Sequence, residues 1–436
     1  MKRLFKKSAL PAAVSLALLG GFGEAYAVVN VQCGQPGDDT NGNAIPDSVE
    51  AGGAPPTGPN GGVVKCMHLI AGDSFAVMSD TNPIYTFGFG DQTGTLPDDV
   101  IAEGILDAEW PGPTIELEEG DEFYLNLTNV GTVIRPDLFD PHTVHWHGFP
   151  NAATVFDGVP EVSIAINMGA TLTYYYNVVE PGTYLYHCHV EATEHMEMGM
   201  LANLFVHPKQ DETGCTGAIP CPVAIRKGGT DLGAPLGYAY NDNDGTTAFD
   251  AEKALQIASF DSDFHDASLF VQPLPFATLE GDYPQINGRG YPDTVIEADL
   301  PPPADDAAGK VTGNPGEILN NGTPTQMIDS AISVTAGDRL LLRLSNVGLD
   351  RFWTLTAPGL TMKIVGTGAR QMRGVTGKNL YVETASVNFG GGETHDVIID
   401  TAGVAPGTYF LQAAELHQMS NKTQLDGGMI TEIVVN

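Results

Sequence analysis

Basic residues are scarce in this chain. Its 436 residues include 20 Lys and Arg against 54 Asp and Glu, a formal net charge of -34. So acidic a chain cannot neutralise a phosphate backbone, which excludes nucleic acid as a partner, and it argues against docking on anionic lipid. Long apolar runs are missing beyond the N-terminus, where no stretch approaches the ~20 residues that a membrane span needs. No long amphipathic helical pattern appears. Wholesale disorder is excluded as well, because 42% of the residues are hydrophobic and only 17% charged. Cysteine is limited to five residues, whereas Gly (52) and Pro (30) are plentiful and suit a turn-rich β architecture. At roughly 150 residues per domain, the length allows two or three domains.

The first 27 residues read as an export signal. Lys2, Arg3, Lys6 and Lys7 precede an apolar stretch from Ala9 to Phe22, and Ala25-Tyr26-Ala27 is a small-x-small cleavage site. Pro11, Gly20, Gly21 and Glu24 make the run too short and interrupted for an anchor. The expected location is therefore the periplasm, the cell surface or the medium. Cysteine usage fits an oxidising compartment: two disulfides would use Cys33, Cys66, Cys215 and Cys221, leaving Cys188 as a reactive thiol or a ligand.

Residues 28–62 form a polar extension without periodicity. Within it, Asp39, Asn41, Asn43, Asp47 and Glu50 place oxygen side chains at positions 1, 3, 5, 9 and 12 of a loop, the spacing of a calcium site. The segment resembles the calcium repeats of thrombospondin type 3, with Ala44 where those repeats have Gly. A solvated acidic linker is the alternative.

The rest of the chain contains a repeat. Ile115-Glu-Leu117-Glu-Glu-Gly120-Asp121 and its continuation to Asn129-Val130-Gly131 recur as Ile332-Ser-Val334-Thr-Ala-Gly337-Asp338 through Asn346-Val347-Gly348. Pro181-Gly182-Thr183-Tyr184 recurs as Pro406-Gly407-Thr408-Tyr409. Each copy alternates as a strand does, with turns between. We expect an all-β chain of two tandem Greek-key β-sandwich domains, residues 63–210 and 235–436, joined by a linker over 211–234.

Chemistry concentrates in the first copy. Six of the eleven histidines lie in Asp140-Pro-His142-Thr-Val-His145-Trp-His147-Gly148 and in Tyr186-His187-Cys188-His189 through His195 to Met200. Strand side chains alternate, so His145 and His147 share a face, as do His187 and His189, while Cys188 points the opposite way. A thiolate, two imidazoles and a weak thioether form the ligand set of a blue copper electron-transfer centre. Cys188, His195 and Met200 lie close in sequence, and His142 sits on the other segment; Met198 is the less favoured axial thioether. The other four histidines make a separate nitrogen-rich cluster. Structural zinc is the competing metal, but it does not explain one cysteine between two histidines.

The His-x-x-His-x-His-Gly and His-Cys-His…His patterns resemble the copper signatures of the multicopper oxidases. Pro111-Gly-Pro-Thr114 and Ile286-Asn-Gly-Arg-Gly-Tyr-Pro-Asp293 resemble segments of that family's cupredoxin domains. The resemblance covers most of residues 85–436 and implies two cupredoxin-like sandwiches. It implies type 1 copper on His142, Cys188 and His195 with Met200 axial, type 2 copper on His145, and a type 3 pair on His147, His187 and His189. It also implies a small reducing substrate or a redox partner protein, oxygen as acceptor, and a homotrimer with clusters between subunits. The family's trinuclear cluster takes eight histidines, four from each of two domains. Here the second copy sets Gln412-Ala413-Ala414 against His187-Cys188-His189, and it offers only His265, His395 and His417.

The reading is a copper-dependent oxidoreductase that oxidises a phenol or a metal ion by single electrons. Its rivals are a type 1 electron-transfer protein without a complete cluster, a relative of the copper nitrite reductases, and a copper-storage or calcium-dependent adhesion protein.

Overall fold

A computed structural model describes residues 29–149, 152–218, 220–231 and 233–436. The export segment lies outside these residues. Among the described residues the first half has eight strands and the second twelve, yet the two halves share one plan. The first half contains β1 (Val64–Val77), β2 (Pro83–Asp91), β3 (Ile115–Glu118), β4 (Glu122–Gly131), β5 (His145–Trp146), β6 (Thr171–Asn177), β7 (Gly182–His187) and β8 (Leu201–His207). One sheet has the order β2-β1-β4-β6 and the other β3-β8-β7-β5. Within them β1 runs parallel to β4, and β3 parallel to β8; the remaining pairs are antiparallel.

After a short ribbon of β9 (Gly237–Tyr238) and β10 (Ala248–Phe249), the second half repeats the scheme. Its strands are β11 (Ala251–Phe260), β12 (Tyr283–Ile286), β13 (Ile332–Val334), β14 (Arg339–Asn346), β15 (Trp353–Thr356), β16 (Met362–Thr367), β17 (Arg370–Gln371), β18 (Val382–Thr384), β19 (Ser386–Phe389), β20 (Thr394–Asp400), β21 (Gly407–Ala413) and β22 (Ile430–Val435). The order β12-β11-β14-β20 repeats the first sheet, and β13-β22-β21-β15 the second. Again the parallel pairs are β11 with β14 and β13 with β22. These are cupredoxin-like Greek-key sandwiches, and the sequence repeat is a repeat of topology.

Each sandwich closes on the inward face of its alternating strands. Leu125, Leu127, Tyr174, Tyr186 and Leu204 lie in the first core; Leu342, Leu344, Trp353, Leu411 and Ile433 lie in the second. Burying each such side chain stabilises the fold by about 1.5–3 kcal/mol. The outer face of β4 is covered too. The polar extension lies across it, with the Gln32 N–H donating to Asn126 Oδ1 and the Cys33–Cys66 disulfide joining it to β1. The second disulfide, Cys215–Cys221, closes a short loop after β8.

Two devices lock the sandwiches together. Trp110 stacks on Phe260 with ring centroids 4.2 Å apart, in an apolar cluster with Leu185, Met196 and Val347. The second device comes from the long loop within the second sandwich. Asn320 donates through Nδ2 to the Phe75 carbonyl and accepts from the Phe75 N–H, and Gln326 Oε1 accepts from Val77 N–H. These groups lie on β1 beyond the end of β4, where no strand partner remains on that side.

Candidate metal centre

β7 carries the site. Gly182 opens it with φ +145, and an added Cβ would lie 2.8 Å from the Ala369 carbonyl oxygen. Glycine thus lets the second sandwich approach the strand that ends in His187. From there the alternation of side chains splits the ligands between two faces.

On one face Cys188 Sγ lies 3.2 Å from His195 Nδ1 and 3.7 Å from His142 Nδ1. All three residues are buried, and their donor atoms gather closely enough to share one ion. Among the described residues Cys188 is the only free cysteine. His142 is held by paired backbone hydrogen bonds with Ile166, and His195 by the short helix Ala192–Glu197. The Cys188 N–H donates to the Met200 carbonyl, bringing that residue beside the thiol, and both Met198 and Met200 belong to the surrounding core. Burial pushes the His142 imidazole well below its ordinary range, as does the neighbouring His195. At His195 burial acts in the same sense, but the Cys188 sulfur and the Asp140 carboxylate outweigh it and raise the group to about 10. Asp140 Oδ2 stands 3.8 Å from His195 Nε2, behind the ring.

On the other face four imidazoles converge. His145 and His187 are opposed across the β5–β7 ladder. Ring centroids lie 4.9 Å apart for His147 and His187, and 4.9 Å for His145 and His189. Three of the rings hold a backbone carbonyl through Nδ1: His145 to Asp157 at 2.6 Å, His147 to Gly392 at 3.1 Å, and His187 to Cys188 at 2.7 Å. A carbonyl only accepts, so each Nδ1 bears the proton and each Nε2 presents a lone pair. Burial lowers all three titrations, that of His187 to about 3. The Nε2 atoms of His147 and His187 then face each other at 2.9 Å with no proton between them. A cation resolves that clash of lone pairs, so the donor set fits a metal.

The second sandwich supplies the wall opposite. A cavity of about 490 Å³ lies between His147, His187 and His189 on one side and Asp350, Arg351, Phe352 and Gly392 on the other. Gly392 has φ +83, and a Cβ there would lie 2.7 Å from His147 Cε1. Neither Gly392 nor Asp157 was legible as a partner in the sequence, since a backbone carbonyl leaves no residue signature.

The other predicted residues lie apart. The Asp39 carboxylate accepts from the N–H groups of Gly42, Asn43 and Ala44, Asp47 accepts from Thr40, and the Asn41 and Asn43 amides donate to Glu50. The loop is thus closed by its own hydrogen bonds, around Ala44 at φ +64. His265 is buried and donates from Nδ1 to the Tyr85 carbonyl; His395 is half-buried and packs on Phe389 of the second core; His417 is exposed beside Arg351. Among the described residues none of them belongs to the donor group formed by His145, His147 and His187.

A buried Cys-His₂ set backed by clustered imidazoles on a cupredoxin-like sandwich marks a copper protein of the cupredoxin class. Family comparison agrees: multicopper oxidase models match residues 97–211 and 294–436. The chain belongs to the multicopper oxidase family, and copper is its metal. It is 25% identical over 315 residues to copper resistance protein A of Escherichia coli, a match covering 70% of this chain and 44% of that protein. It is 30% identical over 138 residues to multicopper oxidase MCE of Talaromyces pinophilus, covering 31% and 20%. The chain thus spans less than half the length of these curated relatives. Among solved structures, blue copper oxidase from Nitrosomonas europaea shares the fold, with a TM-score of 0.56, 23% identity and 85% coverage of each chain.

Proposed function

We propose that the chain is an exported copper oxidase. In this reading His142, Cys188 and His195 hold type 1 copper with Met200 as axial thioether, and His145, His147, His187 and His189 hold copper of the type 2 and type 3 kind. Bound copper supplies one-electron redox chemistry. An external donor, a phenol, a metal ion or a redox partner protein, gives up single electrons, and oxygen is the acceptor. The acidic surface favours a cationic donor through steering.

The observation that carries this reading is the back-to-back arrangement on β7. Cys188 faces one ligand set, while His187, its chain neighbour, faces the other and donates to the Cys188 carbonyl at 2.7 Å. The covalent path between the two sets is one peptide unit. An electron carrier alone has no use for four further imidazoles with their lone pairs turned inward. The residues around the sites have their own tasks. Asp140, Asp157 and the Gly392 carbonyl orient imidazoles, and partners of this kind hold a ligand ring and its tautomer in place. Burial lowers the titrations of His142, His145, His147 and His187 and so keeps those imidazoles neutral and available as ligands.

Export rests on residues 1–27, and among the described residues no helix is long and apolar enough to cross a membrane. The Asp39–Glu50 loop is carried in this reading as a calcium site of structural role; a melting temperature indifferent to millimolar calcium removes it. The oxidase reading is tested by oxygen uptake of the copper-loaded protein with phenols, ferrous or cuprous ions and reduced carrier proteins. Uptake that disappears in Cys188→Ser supports it. Reversible bleaching without any uptake leaves an electron-transfer protein instead.

A further inference from the structure

We infer that the imidazole site holds a single copper ion instead of the family's three, so that reduced oxygen leaves this chain as hydrogen peroxide. The inference rests on the oxidase reading above, replaces the type 2 and type 3 assignment of the four imidazoles with one ion, and specifies the product.

The first argument is a complete accounting of imidazoles. The chain has eleven histidines, and all of them lie among the described residues. Two stand at Cys188 and four at the second site. The remaining five belong to neither donor group. His68 Nε2 is bonded to Thr128 Oγ1 on the outer face of β4, and His207 Nε2 to Glu116. His265 is bonded to the Tyr85 carbonyl, His395 packs on Phe389, and exposed His417 is bonded to Arg351; none joins the donor group of His145, His147 and His187.

The second argument is register. β7–β8 and β21–β22 pair identically, with Gly182 opposite Val206 and Gly407 opposite Val435. His187 therefore corresponds to Gln412, and His189 to Ala414. His145 pairs with His187 as Thr356 pairs with Gln412, so His145 corresponds to Thr356 and His147 to Pro358. The second sandwich has thus lost every cluster histidine at once. A second copy of the chain brings the same sandwich with the same losses, so symmetric assembly does not restore them. The wall that does face the site ends in a carbonyl, a carboxylate, a guanidinium and a phenyl ring.

The third argument is geometric. The ligand atoms of His145, His147 and His187 all lie within 4.8 Å of one another. Two nitrogens bound to one ion at about 2.0 Å and a right angle stand about 2.8 Å apart, close to the 2.9 Å between the Nε2 atoms of His147 and His187. Three or four imidazoles complete the coordination of one copper. Divided among three ions, they leave each with little more than one protein ligand.

Electron balance then fixes the product. With one copper at the Cys188 set and one more at the imidazoles, the chain would hold two electrons. Two donor molecules each lose one electron; oxygen gains two electrons and two protons from solvent and becomes hydrogen peroxide, with its O–O bond intact. Cleaving that bond to give two waters takes four electrons.

The experiment uses the full mature chain loaded with copper. Metal analysis, paramagnetic resonance, donor oxidised per oxygen consumed, and peroxide trapped before and after catalase are measured on one sample. About two coppers per chain, equal type 1 and type 2 signals, two donor equivalents per oxygen and recovered peroxide are expected. Three or four coppers, with four equivalents per oxygen and no peroxide, overturn this inference and leave the oxidase reading standing. One copper with no oxygen uptake sinks both. His417→Ala is the second probe: it is expected to keep the copper count, and a lost copper would reveal an imidazole contributed by the second sandwich and overturn the inference.

Discussion

His187 donates from Nδ1 to the carbonyl of Cys188 at 2.7 Å, although at this end of β7 the two side chains belong to separate donor groups. One hydrogen bond thus fixes the tautomer of an imidazole in one ligand set and the backbone beside the thiol of the other. Changes on one face can consequently be read separately from changes on the opposite face.

Cys188→Ser removes the thiolate and leaves the four imidazoles. The visible absorption of type 1 copper should vanish, and the copper content should fall by about one per chain. The type 2 signal should remain. Absorption and paramagnetic spectra on the same preparation check this, and a retained blue band contradicts the assignment.

His147→Ala acts on the opposite face. It removes one of the two nitrogens that meet at 2.9 Å. Oxygen uptake should fall by more than about 100-fold, since even partners behind a ligand are worth about 10–100-fold. The blue band and its reversible bleaching by a donor should persist. Steady-state oxygen electrode traces beside anaerobic titrations separate the two effects.

Asp140→Asn keeps the size of the group behind His195 and removes its charge. The carboxylate lies 3.8 Å from Nε2. We expect copper to bind the Cys188 set about 10–100-fold more weakly, with the imidazole site unchanged. Competition with a chelator of known affinity measures it.

His68 makes stability depend on pH. Burial lowers its titration to about 4, whereas an unfolded histidine titrates near 6.5. Between those values the unfolded chain binds the extra proton, so stability is full above about pH 6.5 and declines as pH falls towards 4. The whole span is worth about 3 kcal/mol. His68→Gln can still bond Thr128 and has no proton to gain. Its melting temperature should drop less between pH 7 and pH 5 than that of the unaltered protein.

The Cys33–Cys66 disulfide closes a loop with a sequence separation of 33. Loop-closure entropy for that length amounts to about 3–4 kcal/mol. The double substitution Cys33→Ser with Cys66→Ser leaves no stray thiol and should lower the melting temperature without altering the blue spectrum. A changed spectrum would mean that the extension reaches the copper site.

Much of the site was legible because it obeys local rules. Period-2 alternation alone separates Cys188 from His187 and His189, and the structure shows that separation. The doubled Gly-Asp and Pro-Gly-Thr-Tyr segments announced two sandwiches of one plan, and the missing domain-2 histidines could be read from the same repeat. What stayed hidden is non-local. The Gly392 carbonyl meets His147 across 245 positions, and Asn320 reaches Phe75 across the same separation. No spacing rule connects such residues. The extension over 29–62 reads as polar and aperiodic, yet it covers the outer face of β4, because its Cys33 link and the Gln32–Asn126 bond act where hydrophobic pattern is silent.

The loop that brings Asn320 and Gln326 to β1 has a bearing on how this protein can be divided. At Phe75 and Val77 the first sandwich ends in an open strand edge, and the groups that satisfy it belong to the second sandwich. Bare strand edges recruit other chains. A gene fragment ending at the linker would carry every proposed copper ligand and still yield a sticky product, prone to pairing edge to edge. The half without copper ligands therefore acts as the solubilising partner of the half that has them, which gives a metal-poor domain a reason to stay attached.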